Sequence, residues 1–326
     1  MNQSHPFRHW IQLEQPRLGT RVTYASDDFF AAKERVIDAA SPVFIDDKYD
    51  DHGKWMDGWE SRRKRSEGHD FCVIRLGVPG AIRGFDIDTS HFTGNYPPEA
   101  SIEACASDDE TPKEGWVEVL GRTDLAGDSH HYLEISDDRI WTHVRLHIYP
   151  DGGIARLRIF GEVRANFDGV DGFVDLAAIE NGGRAIACSD EHYGSMHNLN
   201  VPGRGVNMGD GWETARRRGP GNDWVIVALA QPGVIERVEV DTAHFKGNYP
   251  GRVSFEAGWF EGDANATPES DHWRTLLPET KLKMDQQHYF ETLEAIGDVS
   301  HVRMSIYPDG GVSRLRLFGR VGEGKK

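Results

Sequence analysis

The chain has little cysteine, a deficit of positive charge and no long apolar run. Cys72, Cys105 and Cys188 stand far apart in 326 residues, an odd number with no C-x-x-C pair. This excludes a disulfide framework or a zinc knuckle and predicts buried thiols in a reducing compartment. Lys and Arg total 37 against 53 Asp and Glu, a net charge of −16, and the short "RRKR" at 62–65 is the one basic run that stands out. Nucleic acid and anionic membranes are therefore poor partners. An anionic substrate would need a local group of cations to overcome the overall field. No stretch of about 18 apolar residues exists. The opening "MNQSHPFRHW" lacks the apolar segment of a signal peptide, and the final "GEGKK" is no peroxisomal or retention signal. The expectation is a cytoplasmic protein with no membrane partner.

The composition present is 38% hydrophobic and 28% charged, which is globular and long enough for two domains with cores of their own. Self-comparison shows how the length is used. "DTSHFTGNYP" at 88–97 returns as "DTAHFKGNYP" at 241–250, and "MDGWESRRKR" at 56–65 as "GDGWETARRR" at 209–218, both at an offset of 153. "YASDDFFAAKERV" at 24–36 matches "ACSDEHYGSMHNL" at 187–199 at an offset of 163, so the first copy carries ten extra residues in or near "DDKYDDHGK". "HVRLHIYPDGGIARLRIFGEV" at 143–163 pairs with 301–321 at an offset of 158, with 15 of 21 positions identical. A domain has been duplicated in tandem. The copies span 7–163 and 173–321, and "RANFDGVDG" at 164–172 reads as a linker.

Val144, Leu146 and Ile148 alternate with polar neighbours at strand spacing. "PDGG" then offers a turn and "IARLRIF" resumes the alternation, so a β-hairpin is predicted here and in the second copy. "FCVIRLGVPG", "AIRGFDID", "ASIEACAS", "WVEVLG" and "WVIVALAQPGVIERVEVD" read as further strands. Only "DDFFAAKERVID", with Ser26 as N-cap, reads as a short helix. Many short strands with few helices predict an all-β fold, with one antiparallel jelly-roll sandwich per copy.

Taken together, the paired "DTxHFxGNYP", the "DGWE" blocks, the "SDD/SDE" openings and the "IYPDGG" segments resemble the allantoicase family over essentially the whole chain. The resemblance implies two tandem jelly rolls of the galactose-binding-like type, assembly as a homo-oligomer, and hydrolysis of allantoate to ureidoglycolate and urea in purine degradation. No cofactor is implied.

Allantoate carries a carboxylate, a hydrogen and two ureido groups on one carbon. Losing a urea requires a proton for the departing nitrogen, a base for water and a cationic grip on the carboxylate. His91 and His244 are candidates for acid or base, or for tying down a loop. Glu60 and Glu213 each follow a Trp that can desolvate the carboxyl towards a useful pKa; the bland alternative is a solvated Glu. Asn95 and Asn248 suit a ureido carbonyl. Asp27 and Asp190 fit substrate binding or the start of the expected helix. Arg156 and Arg314 fit carboxylate binding or, with Arg158 and Arg316, an outer-face ladder of ion pairs.

His143 and His147 share a strand face but stand about 13 Å apart there, too far for one ion. A divalent metal assembled from distant blocks stays open. No nucleophile elbow or phosphate loop occurs. The competing function is a non-catalytic tandem carbohydrate-binding module, and fold alone does not choose between them. The His, Asn and Glu of the repeated blocks favour chemistry, where a sugar module would show exposed aromatics.

Overall fold

The computed structural model describes residues 6–7, 10–167 and 172–322 and divides the chain into two compact units, Met1–Arg164 and Ala165–Lys326. Of the linker expected at 164–172, residues 168–171 lie outside the described residues. The described residues are strands and loops with short 3-10 turns such as Lys33–Ile37 and Met196–Asn200, the all-β architecture that the alternation predicts.

One strand organises the first unit. "FCVIRLGVPG" and "AIRGFDID" run as a single element, Asp70–Asp88, whose halves have different neighbours. The first half pairs antiparallel with Ile140–Tyr149 and with Arg21–Ala25. The second half pairs with Arg156–Val163 and with His130–Glu134. Ile140–Tyr149 continues to Glu99–Cys105 and then Val117–Asp124, and Ile11–Gln12 edges Arg156–Val163. The pairing with Ile140–Tyr149 skips from Arg75 to Gly80, because Pro79 has no N–H to give the ladder. Gly77 sits in that gap, where a Cβ would fall 1.9 Å from the Leu18 carbonyl oxygen. So the strand changes sheets at "GVPG", and two sheets share it as the faces of a jelly roll.

The second unit repeats this around Asp223–Asp241, with Val299–Tyr307 on its first half and Arg314–Val321 on its second. Each core follows the alternation. Val144, Leu146, Ile148, Leu157 and Ile159 are fully buried in the first unit, and Val302, Met304, Ile306, Leu315 and Leu317 in the second. Each such side chain contributes roughly 1.5–3 kcal/mol.

Two sequence expectations fail. The predicted hairpin does not form, since Ile140–Tyr149 and Arg156–Val163 pair with different halves of the long strand. "PDGG" instead carries the chain from one sheet to the other, and on the way Gly153–Ile154 pairs with Trp59–Glu60. Nor does a helix start at Ser26. Its hydroxyl donates to Asp70 Oδ1 (2.8 Å) and accepts from the Phe71 amide (2.9 Å), so the capping group is used across strands and only the Lys33–Ile37 turn coils. Cys72 and Cys105 are buried free thiols, while Cys188 is only half-buried.

Candidate active site

The crossing segment and two loops meet at one end of the first sandwich. Trp59 is fully buried and its indole donates to the Asp27 carbonyl at 2.8 Å, which fixes the next residue, Glu60, at the mouth. Glu60 pairs through its backbone with Gly153 on one side and Ala31 on the other. Asn95 accepts the Gly153 amide on its carbonyl (2.8 Å) and turns its side-chain amide onto Glu60 Oε1, also at 2.8 Å. His91 closes the group. It has a left-handed φ of 70°, a conformation His, Asn and Asp tolerate better than bulkier residues, and its amide donates to Asp128 Oδ1 at 2.8 Å.

Glu60, His91 and Asn95 therefore line one open cleft of about 410 Å³, together with Phe30, Phe44, His52, Lys54 and Met56. Burial raises the Glu60 carboxyl above its ordinary pKa, and the Asn95 amide takes back part of the shift. That direction suits a carboxyl that both gives and takes a proton near neutrality. His91 Nε2 faces the Pro42 carbonyl at 3.3 Å. That nitrogen carries the proton and holds the loop, leaving Nδ1 for any other partner.

Asp27 lies beside this cleft. An adjoining hollow of about 470 Å³ is lined by Asp27, Phe30, Asp70 and the basic run Arg62–Arg65. Asp27 accepts from the amides of Phe29 (3.2 Å) and Arg62 (3.0 Å) and from Arg62 Nε (2.7 Å). Burial pushes its carboxyl up, but these bonds outweigh burial and hold it below the ordinary value.

Arg156 is not brought to the cleft. It is 1% exposed, and its guanidinium donates to the Ala40, Asp57 and Ala155 carbonyls and pairs with Asp57 Oδ2 at 2.9 Å. Neither the carboxylate grip nor the outer-face ladder survives this geometry, because the segment carrying Ala40 and Asp57 covers the guanidinium and its carbonyls and carboxylate take up the donors. Arg314 is its equivalent, bound to the Gly203, Asp210 and Ser313 carbonyls and to Asp210 Oδ2. It edges a separate hollow of about 220 Å³ with Arg204 and Asp241.

The second unit reproduces the trio. Asn248 donates to Glu213 Oε1, His244 has φ 70° with its amide on Asp285 Oδ1 at 2.8 Å, and its Nε2 faces the Gly205 carbonyl at 2.8 Å. Asp190 accepts from the Ala215 amide at 2.6 Å, but Ala215 stands where Arg62 stands in the first repeat, so no guanidinium follows.

Two features escaped the sequence reading. The ten extra residues expected in or near "DDKYDDHGK" belong to segment 44–54, which contributes Phe44, His52, Gly53 and Lys54 to the lining of the first cleft; the jump in offset just before "DGWE" was the available signal. His69 Nε2 also meets His147 Nδ1 at 2.8 Å, and His147 Nε2 meets Glu103 at 2.7 Å. His143 instead bonds Thr142. Among the described residues no group of three or more His, Cys, Asp or Glu is placed to hold a metal.

The fold gives two tandem jelly-roll sandwiches, with an open cleft at one end of the first that holds the Glu60 carboxyl raised by burial. A family model described as the allantoicase repeat matches residues 11–164 and again 174–322. Similar proteins include Probable allantoicase 1 of Burkholderia mallei (strain ATCC 23344), 57% identical with 96% of this chain and 95% of that one covered. Probable allantoicase of Pseudomonas aeruginosa (strain LESB58) is also 57% identical, over 98% of this chain and 99% of the relative. The crystal structure of allantoicase from Saccharomyces cerevisiae matches with a TM-score of 0.82 at 36% identity, covering 95% of this chain and 93% of that one. The chain belongs to the allantoicase family.

Proposed function

We propose that Glu60, His91 and Asn95 form the site at which this hydrolase converts allantoate and water to ureidoglycolate and urea. The family supplies the reaction, and the observation that supports the site is the Glu60 carboxyl, raised by burial and bonded to the Asn95 amide in the lining of an open cleft. Protonated Glu60 donates to the departing ureido nitrogen, and the lone pair of the other ureido group helps expel urea. The Glu60 carboxylate then takes a proton from the water that adds to the same carbon, which restores the acid. Asn95 orients the carboxyl and offers its remaining donor to a ureido carbonyl. His91 presents Nδ1 as an acceptor for a ureido N–H. Asp27 supports the basic run from beside the cleft rather than acting in the chemistry.

The carbohydrate-binding alternative is not favoured, since the cleft's convergent groups are an acid, an amide and an imidazole. We take the protein to work in the cytoplasm as a homo-oligomer, in keeping with the acidic composition and the family resemblance. Light scattering on the purified chain reads the assembly. The site is tested by following urea release: Glu60→Gln should lower kcat by at least about 100-fold with an unchanged melting temperature, and normal turnover in that variant would sink the assignment.

A further inference from the structure

The two trios sit in different surroundings. Between Val43 and Trp55 the first repeat has the eleven residues 44–54, where the second has Asn207 alone between Val206 and Met208. Four of those eleven, Phe44, His52, Gly53 and Lys54, line the first cleft. The other lining positions change too: Phe30 becomes Tyr193, Met56 becomes Gly209 and Thr93 becomes Lys246, while only Glu, His and Asn persist.

The substrate is an anion and the chain carries −16, so a site that binds it needs a cation of its own. Lys54 is the permanent cation among the residues lining the first cleft. Its ammonium donates to the Ile45 (3.0 Å) and Asp46 carbonyls and lies 4.7 Å from the centre of the Phe44 ring, which in turn packs 5.8 Å from the His91 ring. Two of three ammonium donors are thus used to fix its place, and the third is left for a ligand. In the second repeat Asn207 brings no charge, Lys246 is directed to Asp285 at 3.8 Å, and the Met208 sulfur lies 4.0 Å from the Asn248 amide nitrogen.

We infer that turnover is confined to the first repeat, where segment 44–54 completes the site and Lys54 grips the carboxylate of the substrate, and that the second repeat is a scaffold. The persistence of His244, Glu213 and Asn248 follows from their work in tying loops together: His244 holds the Gly205 carbonyl at 2.8 Å and the Asn248 side-chain amide is bonded to the Glu213 carboxylate. This inference rests on the assignment of the Glu60 cleft as the active site.

The full-length chain is assayed for urea release from allantoate. Glu60→Gln loses at least about 100-fold in kcat, and Glu213→Gln stays within about twofold. Lys54→Met raises KM about tenfold with kcat within about twofold, and Lys54→Arg restores most of the affinity. Calorimetric titration of the Glu60→Gln chain with allantoate gives one molecule bound per chain, a reading that holds even if Glu213→Gln does not fold. Two bound per chain, or equal losses in both Glu variants at unchanged melting, overturns the single-repeat inference while leaving the Glu60 site standing. An unchanged KM in Lys54→Met overturns the role of Lys54. Full activity in Glu60→Gln removes the site itself.

Discussion

Gly153 lies so close to Phe92 that a methyl group would fall 1.9 Å from its ring, and Gly311 meets Phe245 at 2.0 Å. Trp59 and Trp212 are both fully buried, and each ties its indole to an Asp carbonyl at 2.8 Å. Where the framework is concerned the two repeats agree almost atom for atom. They part at the cleft, where eleven residues face one, and at the neighbouring turn, where Arg62 faces Ala215. A duplicated chain must keep its packing constraints twice, because each sandwich folds around its own core, whereas a ligand needs only one complete wall. Identity between repeats therefore reports folding, and divergence next to identity reports the site.

The sharpest way to break that comparison is to remove the buried arginines. Arg156 and Arg314 are 1% and 3% exposed and each neutralises a mostly buried Asp. Removing one partner of such a pair leaves a buried charge unpaired and costs about 3–5 kcal/mol. Arg156→Met and Arg314→Met should each destabilise by that amount, to within about 1 kcal/mol of each other, in urea unfolding followed by fluorescence. An effect confined to one repeat would show that the shared bonds are not the shared source of stability.

The sequence exposed this framework well because its signals are local. Alternation placed Val144, Leu146 and Ile148 in a strand, and the repeat picked out Glu60, His91 and Asn95 as polar residues worth a role. What it could not show was pairing at a distance. "IYPDGG" looked like a hairpin because turn chemistry is local, while the partner of each flanking strand is a different half of Asp70–Asp88. Glu60 and Asn95 are 35 residues apart and their contact exists only once Gly153 has joined both loops. Arg156 was misread for a related reason, since its alternation pointed it off the hydrophobic face and nothing local reveals the loop that covers it. Lys54 was missed by the repeat itself: a search for what recurs passes over a segment that occurs once.

A smaller difference between the repeats concerns buried carboxyls. Glu14 is fully buried and its Oε2 accepts the Ile159 amide at 2.9 Å. Asp175 accepts the equivalent Leu317 amide at 2.9 Å from a position aligned two residues earlier. Desolvation raises Glu14 from 4.5 to about 7, opposed by Arg158, and Asp175 from 3.8 to about 6, opposed by the Leu317 amide and Arg316. Because the native state holds these protons longer than the unfolded chain, the stability they contribute is present below the unfolded pKa and is lost as pH rises through the folded one. The first repeat should weaken up to about pH 7 and the second up to about pH 6. Glu14→Gln, which keeps an acceptor for Ile159, should flatten the fall in stability between pH 5 and 7, a slope of at most about 1.4 kcal/mol per pH unit. Asp175→Asn should act chiefly at lower pH. Stability measured by urea unfolding across that range separates the two, and identical pH profiles for both variants would contradict the assignment.

The smallest effect is expected at Arg62, and its size discriminates between two roles. Its ion pair with Asp27 is one-sided in exposure, with the Arg side chain 61% and the Asp 13% accessible, so the Coulomb term is screened and the pair contributes about 0–1 kcal/mol. The Asp27 carboxyl is nevertheless held below its ordinary pKa, so whatever the pair contributes is present at neutral pH and disappears as pH falls through the range where Asp27 protonates. Arg62→Ala should therefore cost less than about 1 kcal/mol at pH 7 and nothing in strong acid, bringing the first repeat to the state the second already has with Ala215. Urea unfolding at the two pH values measures this. If Lys54 is the residue that grips the substrate, the same variant changes KM for allantoate by no more than about twofold at moderate salt, through loss of long-range attraction alone. A tenfold rise in KM would instead move the carboxylate from Lys54 to the basic run, and with it the reason why Arg62, rather than segment 44–54, separates the first repeat from the second.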